Sequence, residues 1–395
     1  MFWLRWLVYA VVGPLVVCGC ERAGRPNRAP AVVIVTGPHD PVVTEGVRFE
    51  WVGTDLDGAV VGYFYGLDDS VPEVWTESSG VTLLSLEYGV HDFFVQAVDD
   101  SGARSVAAVW TFSYEFSGAL GPAGTDTTFD LVTWNIENFP KAGSRSVSHL
   151  RALMEQMEVD LFALQEIADT LAFRNLVSSL DGYYGRYSPD SYGSSYQKTG
   201  VVYRVATVSV FGMRQLFVSS SAFPRPPIEM FVRAVGNGQV FDFRLIVLHL
   251  KAGSTSSDRE RRRTACRLLK EYIDAELESG SEPDFVVAGD WNDQLDDPVE
   301  ENVFQPFLED TTRYCFLTRE LTGDRSQASY IGGGLIDHIL VTRDALAEYR
   351  PGVTRTLRLD DRVRRYQEEV SDHRPVLAGF SVFRPTGLCA KPAEE

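Results

Sequence analysis

The chain is short of positive charge. Its 37 lysines and arginines stand against 55 aspartates and glutamates, a formal net charge of −18 over 395 residues. Proteins that track nucleic acid by long-range attraction are usually basic. The balance argues against a processive DNA-binding surface, but leaves room for a small basic patch beside a metal. Cysteine is scarce, at 5 residues, and no Cys/His grouping has zinc spacing. A phosphate loop of the strand–GxxxxGK[ST]–helix kind is missing: Gly332-Gly333-Gly334 precedes a strand, not a helix, and reads as a flexible loop. No internal repeat or low-complexity tract stands out. At the start of the chain, the uncharged stretch from Trp6 to Gly19 is short for a membrane span and is interrupted by Pro14.

That opening stretch is a targeting segment instead. Arg5 supplies a short basic region, an apolar run follows, and small residues close it. Val17-Cys18-Gly19-Cys20 resembles a bacterial lipoprotein signal. The resemblance implies that residues 1–19 are removed and that Cys20 is lipidated. The mature protein would then be exported and anchored to the membrane of the cell envelope. Without lipidation the segment still reads as a secretory signal. Export permits disulfides. The cysteines left are Cys266, Cys315 and Cys389, an odd number. Cys266 shares a helical face with Leu269 and Ile273, which predicts a buried thiol; Cys315 with Cys389 is the one pair open to a bond.

Residues 20–30 are polar and Pro-rich and read as a tether. Residues 31–116 show only strand patterns, about seven short runs separated by turn clusters. This predicts an all-β sandwich. Phe49-x-Trp51, Gly62-Tyr63 and Ala97-x-Asp99-x-x-Gly102 resemble immunoglobulin-like or fibronectin-like modules. Asp55-x-Asp57-Gly58 reads as a turn, because further calcium ligands are missing. This module carries no catalytic constellation and is expected to be a spacer or to bind an unknown ligand. A Gly/Ser/Thr/Pro linker fills 117–128. From 129 to 383 strands mix with helical periods, the last of them opening on a Ser257-x-x-Glu260 capping box. A tail covers 384–395.

Across this second domain, polar residues sit at the ends of apolar runs: Trp134-Asn135, Gln165-Glu166, His249-Leu250-Lys251, Gly289-Asp290-Trp291-Asn292, Asp337-His338 and Asp372-His373-Arg374-Pro375. Apolar runs of this kind read as buried strands whose ends share a rim. Carboxylates, amides and two imidazoles gathered there suit one hard divalent cation and one phosphate. Asp290 and Asn292, two apart, can share a face, with Gly289 letting the backbone turn. His338 points away from Asp337 and is expected to be structural; Glu137 reads as local structure.

Taken together, in this order, the motifs resemble the endonuclease/exonuclease/phosphatase superfamily. The implied fold is α/β (α+β), a four-layered α/β sandwich in which two mostly antiparallel sheets are covered by helices. The resemblance implies that Glu166, with Asp372 and Asn135, binds magnesium or manganese. It implies that Asp290 and Asn292 orient the attacking water and hold phosphoryl oxygens. Asp337 and His373 match the family's carboxylate–histidine pair, and His249 would bind phosphate or protonate the leaving oxygen. Phe223-Pro224-Arg225-Pro226-Pro227 resembles the stretch in which pancreatic-type nucleases keep a phosphate-binding arginine, and Tyr196 their substrate-contacting tyrosine. Those enzymes follow that tyrosine with a glutamate that orients the first histidine; this chain has Gln197-Lys198-Thr199. Lys251 is a further substrate-binding candidate, and Arg259, Arg262 and Arg263 could reach a phosphate backbone or form a solvated helix face.

The expectation is a monomeric, metal-dependent phosphodiesterase acting on nucleic acid. The alternatives are a sphingomyelinase-like phospholipid phosphodiesterase or a phosphomonoesterase of the same superfamily. Outside enzymes, the alternative is a surface binding protein that has lost activity.

Overall fold

The computed structural model describes residues 26–38, 46–84, 86, 89–114, 121–189, 197–280, 282–363 and 365–383. The expectations placed on Cys20, Tyr196 and Cys389 lie outside these residues. Two compact units emerge, one containing Val47–Thr82 and His91–Thr111, the other containing the chain from Phe112 onward.

Seven strands run through the N-terminal region: β1 (Ala31–Thr36), β2 (Gly46–Thr54), β3 (Val60–Leu67), β4 (Val74–Thr76), β5 (Gly80–Leu84), β6 (Gly89–Asp99) and β7 (Ala108–Tyr114). They form a three-stranded sheet β1-β2-β5 and a four-stranded sheet β4-β3-β6-β7. Alternation drives the burial. In β2, Val47, Phe49 and Trp51 turn inward while Arg48 stays exposed. Phe49 stacks on Phe93 of the other sheet at 3.9 Å between ring centroids, and Trp51 meets Tyr63 at 5.7 Å. Asp55 and Asp57 form a turn, as their spacing predicts, with the Asp57 N–H donating to Asp55 Oδ1 at 3.4 Å.

In the second unit, twelve strands make two six-stranded sheets. The first has the order β10-β11-β9-β8-β19-β18, from β8 (Phe129–Phe139), β9 (Leu161–Ile167), β10 (Tyr183–Tyr187), β11 (Lys198–Arg204), β18 (Val353–Thr356) and β19 (Val376–Phe380). The second is β12-β13-β14-β15-β17-β16, from β12 (Val208–Gln215), β13 (Ile228–Gly236), β14 (Gln239–His249), β15 (Phe285–Asp290), β16 (Tyr314–Phe316) and β17 (Asp337–Thr342). Most pairings are antiparallel, but each sheet has one parallel pair, β8 with β9 and β14 with β15. A parallel pair needs a crossover. Helix α1 (Ser144–Met157) supplies the first and α3 (Ser256–Glu278) the second, with α2 (Thr170–Ser179) following β9.

The apolar runs are continuous because these strands are covered on both faces. Leu131, Ala163, Met230, Phe243, Leu245, Val286 and Ile339 fill the space between the sheets. Val132, Phe162 and Leu164 point the other way, against Leu150, Leu153 and Met154 of α1. On the far side, Ile246, Leu248 and Val287 pack against Ala265, Cys266, Leu269 and Ile273 of α3. The result is four layers, and Cys266 is a fully buried thiol, as its helical register predicts.

One expected detail is shifted. The box that caps α3 is Thr255-x-x-Asp258, not Ser257-x-x-Glu260. Thr255 Oγ1 accepts from the Asp258 N–H at 3.1 Å, and Asp258 Oδ2 accepts from the Thr255 N–H at 3.3 Å. Aspartate closes the box here in the place more often held by glutamate, so the helix begins two residues earlier.

Candidate active site

Strand ends from both sheets converge on one rim. Asn135 of β8 is in register with Gln165 of β9, which brings Glu166 beside it. In the other sheet, His249 closes β14 opposite Asp290 closing β15, and Asp290 faces Asp337. Asp337 opens its strand, but β17 runs antiparallel to β15, so its first residue lies at the end where β15 finishes. Asp372 and His373 come from the segment just before β19.

A single carboxylate oxygen joins these groups. Asp290 Oδ2 accepts from Asn135 Nδ2 at 3.0 Å, which ties one sheet to the other. It lies 3.4 Å from His249 Nε2 and 3.9 Å from His373 Nε2. Asn135 Nδ2 also reaches Glu166 Oε1 at 3.3 Å. His373 Nδ1 is held by Asp337 Oδ2 at 2.7 Å. That contact fixes the ring and leaves Nε2 facing Asp290. Asn292 donates its backbone N–H to Asp290 Oδ1 at 2.9 Å and its Nδ2 to the Leu250 carbonyl at 3.3 Å.

The rim is backbone-strained. Glu137, Asn138, Glu166 and Asn292 all have positive φ, at 30°, 48°, 63° and 56°. Asparagine tolerates this region; glutamate does so at a cost of order 1–3 kcal/mol that the surrounding structure must offset. Here the Asn138 N–H donates to Glu166 Oε2 at 2.9 Å, and Gln197 Nε2 donates to the same oxygen at 2.8 Å.

Burial and crowding set the charges. The Asp290 carboxyl rises to about 7, first through burial and then through the charge of Asp337. Asp372 rises to about 6 through burial, against the pull of His373 and with the repulsion of Glu137 and Glu166. Burial alone would depress His373, yet Asp337, Asp290 and Asp372 together raise it to about 10. His249 is pushed well below its ordinary value by burial, then by the charges of Arg225 and His373. The pair therefore divides into a cationic His373 and a neutral His249.

The donor set fits a hard divalent cation. Asp372 Oδ1 and Asp337 Oδ1 are buried with no hydrogen-bond partner among the described residues, and Glu166 lies close enough to perturb Asp372. Asp290, Asp337 and His373 also bring one ligand atom each within 4.8 Å of one another. In that trio, however, His373 Nδ1 is already taken by Asp337. In the set that the resemblance implies, Asp372 Oδ1 is the free oxygen, while the oxygens of Glu166 and Asn135 already accept hydrogen bonds and would share them with a metal.

Other expected residues fall at varied distances from this centre. Arg225 donates to Gln197 Oε1, so Gln197 bridges the arginine and Glu166. Lys251 pairs with Asp258 at 3.0 Å, at the cap of α3. Arg262 is neither a phosphate contact nor solvated. It is buried, holds Asp293 at 2.8 Å, and donates to the carbonyls of Lys251 and Gly253. Arg259 pairs with Glu301 and Arg263 with Glu260, each at 2.8 Å. His338 is buried between Thr318 Oγ1 and the Asp293 carbonyl, both at 3.0 Å, in the structural place predicted for it.

Three features went unseen in the sequence. Glu137 is more than local structure: its Oε2 accepts the Asp372 N–H at 2.8 Å. Gly289 makes no turn but lies inside β15, where an added Cβ would sit 2.1 Å from the Leu248 carbonyl oxygen. Gly332-Gly333-Gly334 is a hydrogen-bonded turn rather than an open loop. Gly333 N–H donates to the Tyr330 carbonyl and Tyr330 N–H to the Gly334 carbonyl, both at 3.0 Å.

Residues 132–373, more than half of the chain, match the Endonuclease/Exonuclease/phosphatase family. No curated protein matches the chain. Among solved structures, a humanized D. rerio TDP2 is similar with a TM-score of 0.48 at 15% identity, over 64% of this chain and 99% of its own. The human Nocturnin catalytic domain gives 0.48 at 20%, over 64% and 93%. The 3' phosphatase NExo from Neisseria gives 0.48 at 18%, over 64% and 99%.

Proposed function

This chain belongs to the Endonuclease/Exonuclease/phosphatase family, and from that premise we propose that it is a divalent-metal-dependent phosphodiesterase acting on nucleic acid. Membership makes it a hydrolase of phosphoester bonds. The observation that carries the finer reading is Asp290 flanked by the two imidazoles, with Asp337 locking one of them. Asp290, raised to about 7, is the base that takes a proton from water as the water oxygen bonds to phosphorus and the bond from phosphorus to the leaving oxygen breaks, the leaving oxygen drawing its proton from solvent. His373, held cationic, stabilises the charge that builds on the phosphoryl oxygens. Neutral His249 donates a hydrogen bond to phosphate. The resemblance offered it two roles, and its depressed basicity favours this one over proton donation. Glu166, Asp372 and Asn135 would hold the cation, which when bound neutralises charge on the phosphate and the leaving oxygen. Arg225, linked to Glu166 through Gln197, supports a substrate with further phosphates.

The test is the soluble protein from Glu21 onward, incubated with plasmid DNA, RNA, sphingomyelin and inositol phosphates, with magnesium or with chelator. DNA or RNA cleavage that disappears with chelator is expected. Rapid turnover of sphingomyelin or an inositol phosphate with nucleic acid untouched would overturn the substrate, and full activity after chelation would overturn the metal.

We also propose that Cys20 carries a lipid anchor on the cell envelope, on the strength of Val17-Cys18-Gly19-Cys20 after a short apolar stretch. Cys20→Ser should release the protein from membranes or stop its processing. Unchanged membrane fractionation with unchanged processing would place the anchor elsewhere.

A further inference from the structure

Tyr330 stands on the rim beside His373, the two rings 5.3 Å apart between centroids and tilted by 52°. It is 38% exposed, although its neighbours Ser329 and His373 are buried. Its phenol oxygen has no hydrogen-bond partner among the described residues.

The ring is held in place by backbone. Tyr330 and His373 form an isolated antiparallel bridge. The Ile331 N–H donates to the Asp372 carbonyl at 2.9 Å, and the Arg374 N–H to the Ser329 carbonyl at 2.6 Å. The three glycines that come next suit this tight turn, each in its own way. Gly332 has φ +82°, a region that disfavours any side chain. A Cβ on Gly333 would lie 2.3 Å from Tyr330 Cδ1, and one on Gly334 would lie 1.9 Å from Gln294 Oε1. The turn is thus shaped around the Tyr330 ring and keeps the rim low beside it. A fixed aromatic ring, packed on one side against the imidazole at the reacting phosphate and open on the other, is a platform for a flat group attached to that phosphate.

We propose that Tyr330 contacts the substrate and stacks on the nucleobase next to the scissile phosphodiester. This rests on the nucleic-acid reading above. Stacking of a base on an aromatic side chain tolerates any base, because every base has a π-face. Tyr330 would therefore favour a nucleotide over a phosphoester without a ring while reading no sequence.

The test compares two single-stranded oligonucleotides of one length, one bearing bases and one made of abasic tetrahydrofuran units, with wild type, Tyr330→Ala, Tyr330→Phe and Tyr330→Trp. Wild type should prefer the base-bearing strand. Tyr330→Ala should raise KM for that strand by roughly ten- to a hundredfold, the range of base–aromatic stacking. Its kcat and its turnover of the abasic strand should barely change. Phenylalanine and tryptophan should keep the preference. If Tyr330→Ala slows both strands equally through kcat and shifts the pH–rate profile, the ring only positions His373 and the proposal fails. If wild type cleaves DNA without preferring bases, this proposal fails and the nuclease reading stands. If wild type cleaves neither strand but does cleave plasmid DNA or RNA, this proposal fails and the nuclease reading stands; if it cleaves no nucleic acid, both fall.

Discussion

Replacing His373 by alanine should lower kcat by roughly 10³–10⁴-fold, the scale of losing a member of a catalytic hydrogen-bonded unit. Replacing Asp337 by alanine should do almost the same, and the double variant should be hardly worse than either. The reason is geometric. Asp337 holds His373 Nδ1 at 2.7 Å, is itself fully buried, and has that ring as its side-chain hydrogen-bond partner. Additive losses would show that the two act separately. The same pair predicts a stability signature in the chelated protein. His373 rises from an ordinary 6.5 to about 10, with burial opposed by Asp337 and its neighbours. A raised imidazole contributes stability in full below its unfolded value, and that contribution is lost as pH rises through the folded value. Melting temperature should therefore fall as pH climbs toward 10. Asp337→Asn removes the strongest group holding the proton, so the fall should be smaller and should end at lower pH. An identical alkaline profile in the variant would break the assignment.

Gly289→Ala should be the most damaging change that removes no chemical group. Its Cβ would meet the Leu248 carbonyl oxygen at 2.1 Å, a contact that cannot form without parting β14 from β15. Overpacking typically costs about 1–3 kcal/mol and occasionally more, and a rigid backbone neighbour puts this site at the upper end. In a unit of this size that is a loss of roughly 6–12 °C in Tm. Activity should fall further than stability, because His249 and Asp290 are the next residues on the two parted strands. A displacement near 1 Å at reacting groups costs about 10²-fold. Melting by circular dichroism and turnover at a temperature where the variant is folded would separate the two. A variant with wild-type Tm and turnover would mean that the strands yield freely there.

The strands that carry the site were legible because burial on both faces leaves unbroken apolar runs in β8, β9, β14 and β15, each ending in a polar residue. Asn135, Glu166, His249 and Asp290 could be picked out for that reason, Asp337 and His373 by the resemblance of their motifs, and the structure brings all six onto one rim. Close approach left no such trace. Gly289 read as a turn because sequence shows a missing side chain without the carbonyl that excludes it. Arg262 read as a surface charge because its partner Asp293 is far along the chain and meets it only after α3 packs. Glu137 and Tyr330 act through backbone partners at Asp372 and His373, more than 40 residues away, so no local pattern marked them. Gln197 was visible as a departure from a glutamate, but its bridge between Arg225 and Glu166 depends on side chains from three separate elements.

The order of strands in the first sheet has a consequence for a chain as it is being made. β8 is the first strand of its unit, yet its neighbour on one side is β19, the last. Until β19 arrives, one edge of β8 has no partner, and an unpaired apolar edge is prone to join other chains. His373 lies only three residues before that closing strand. A polypeptide interrupted anywhere earlier therefore lacks both the seal and the imidazole. On the proposed chemistry, a product cut short there should hydrolyse nothing, and competence should come only when β19 docks.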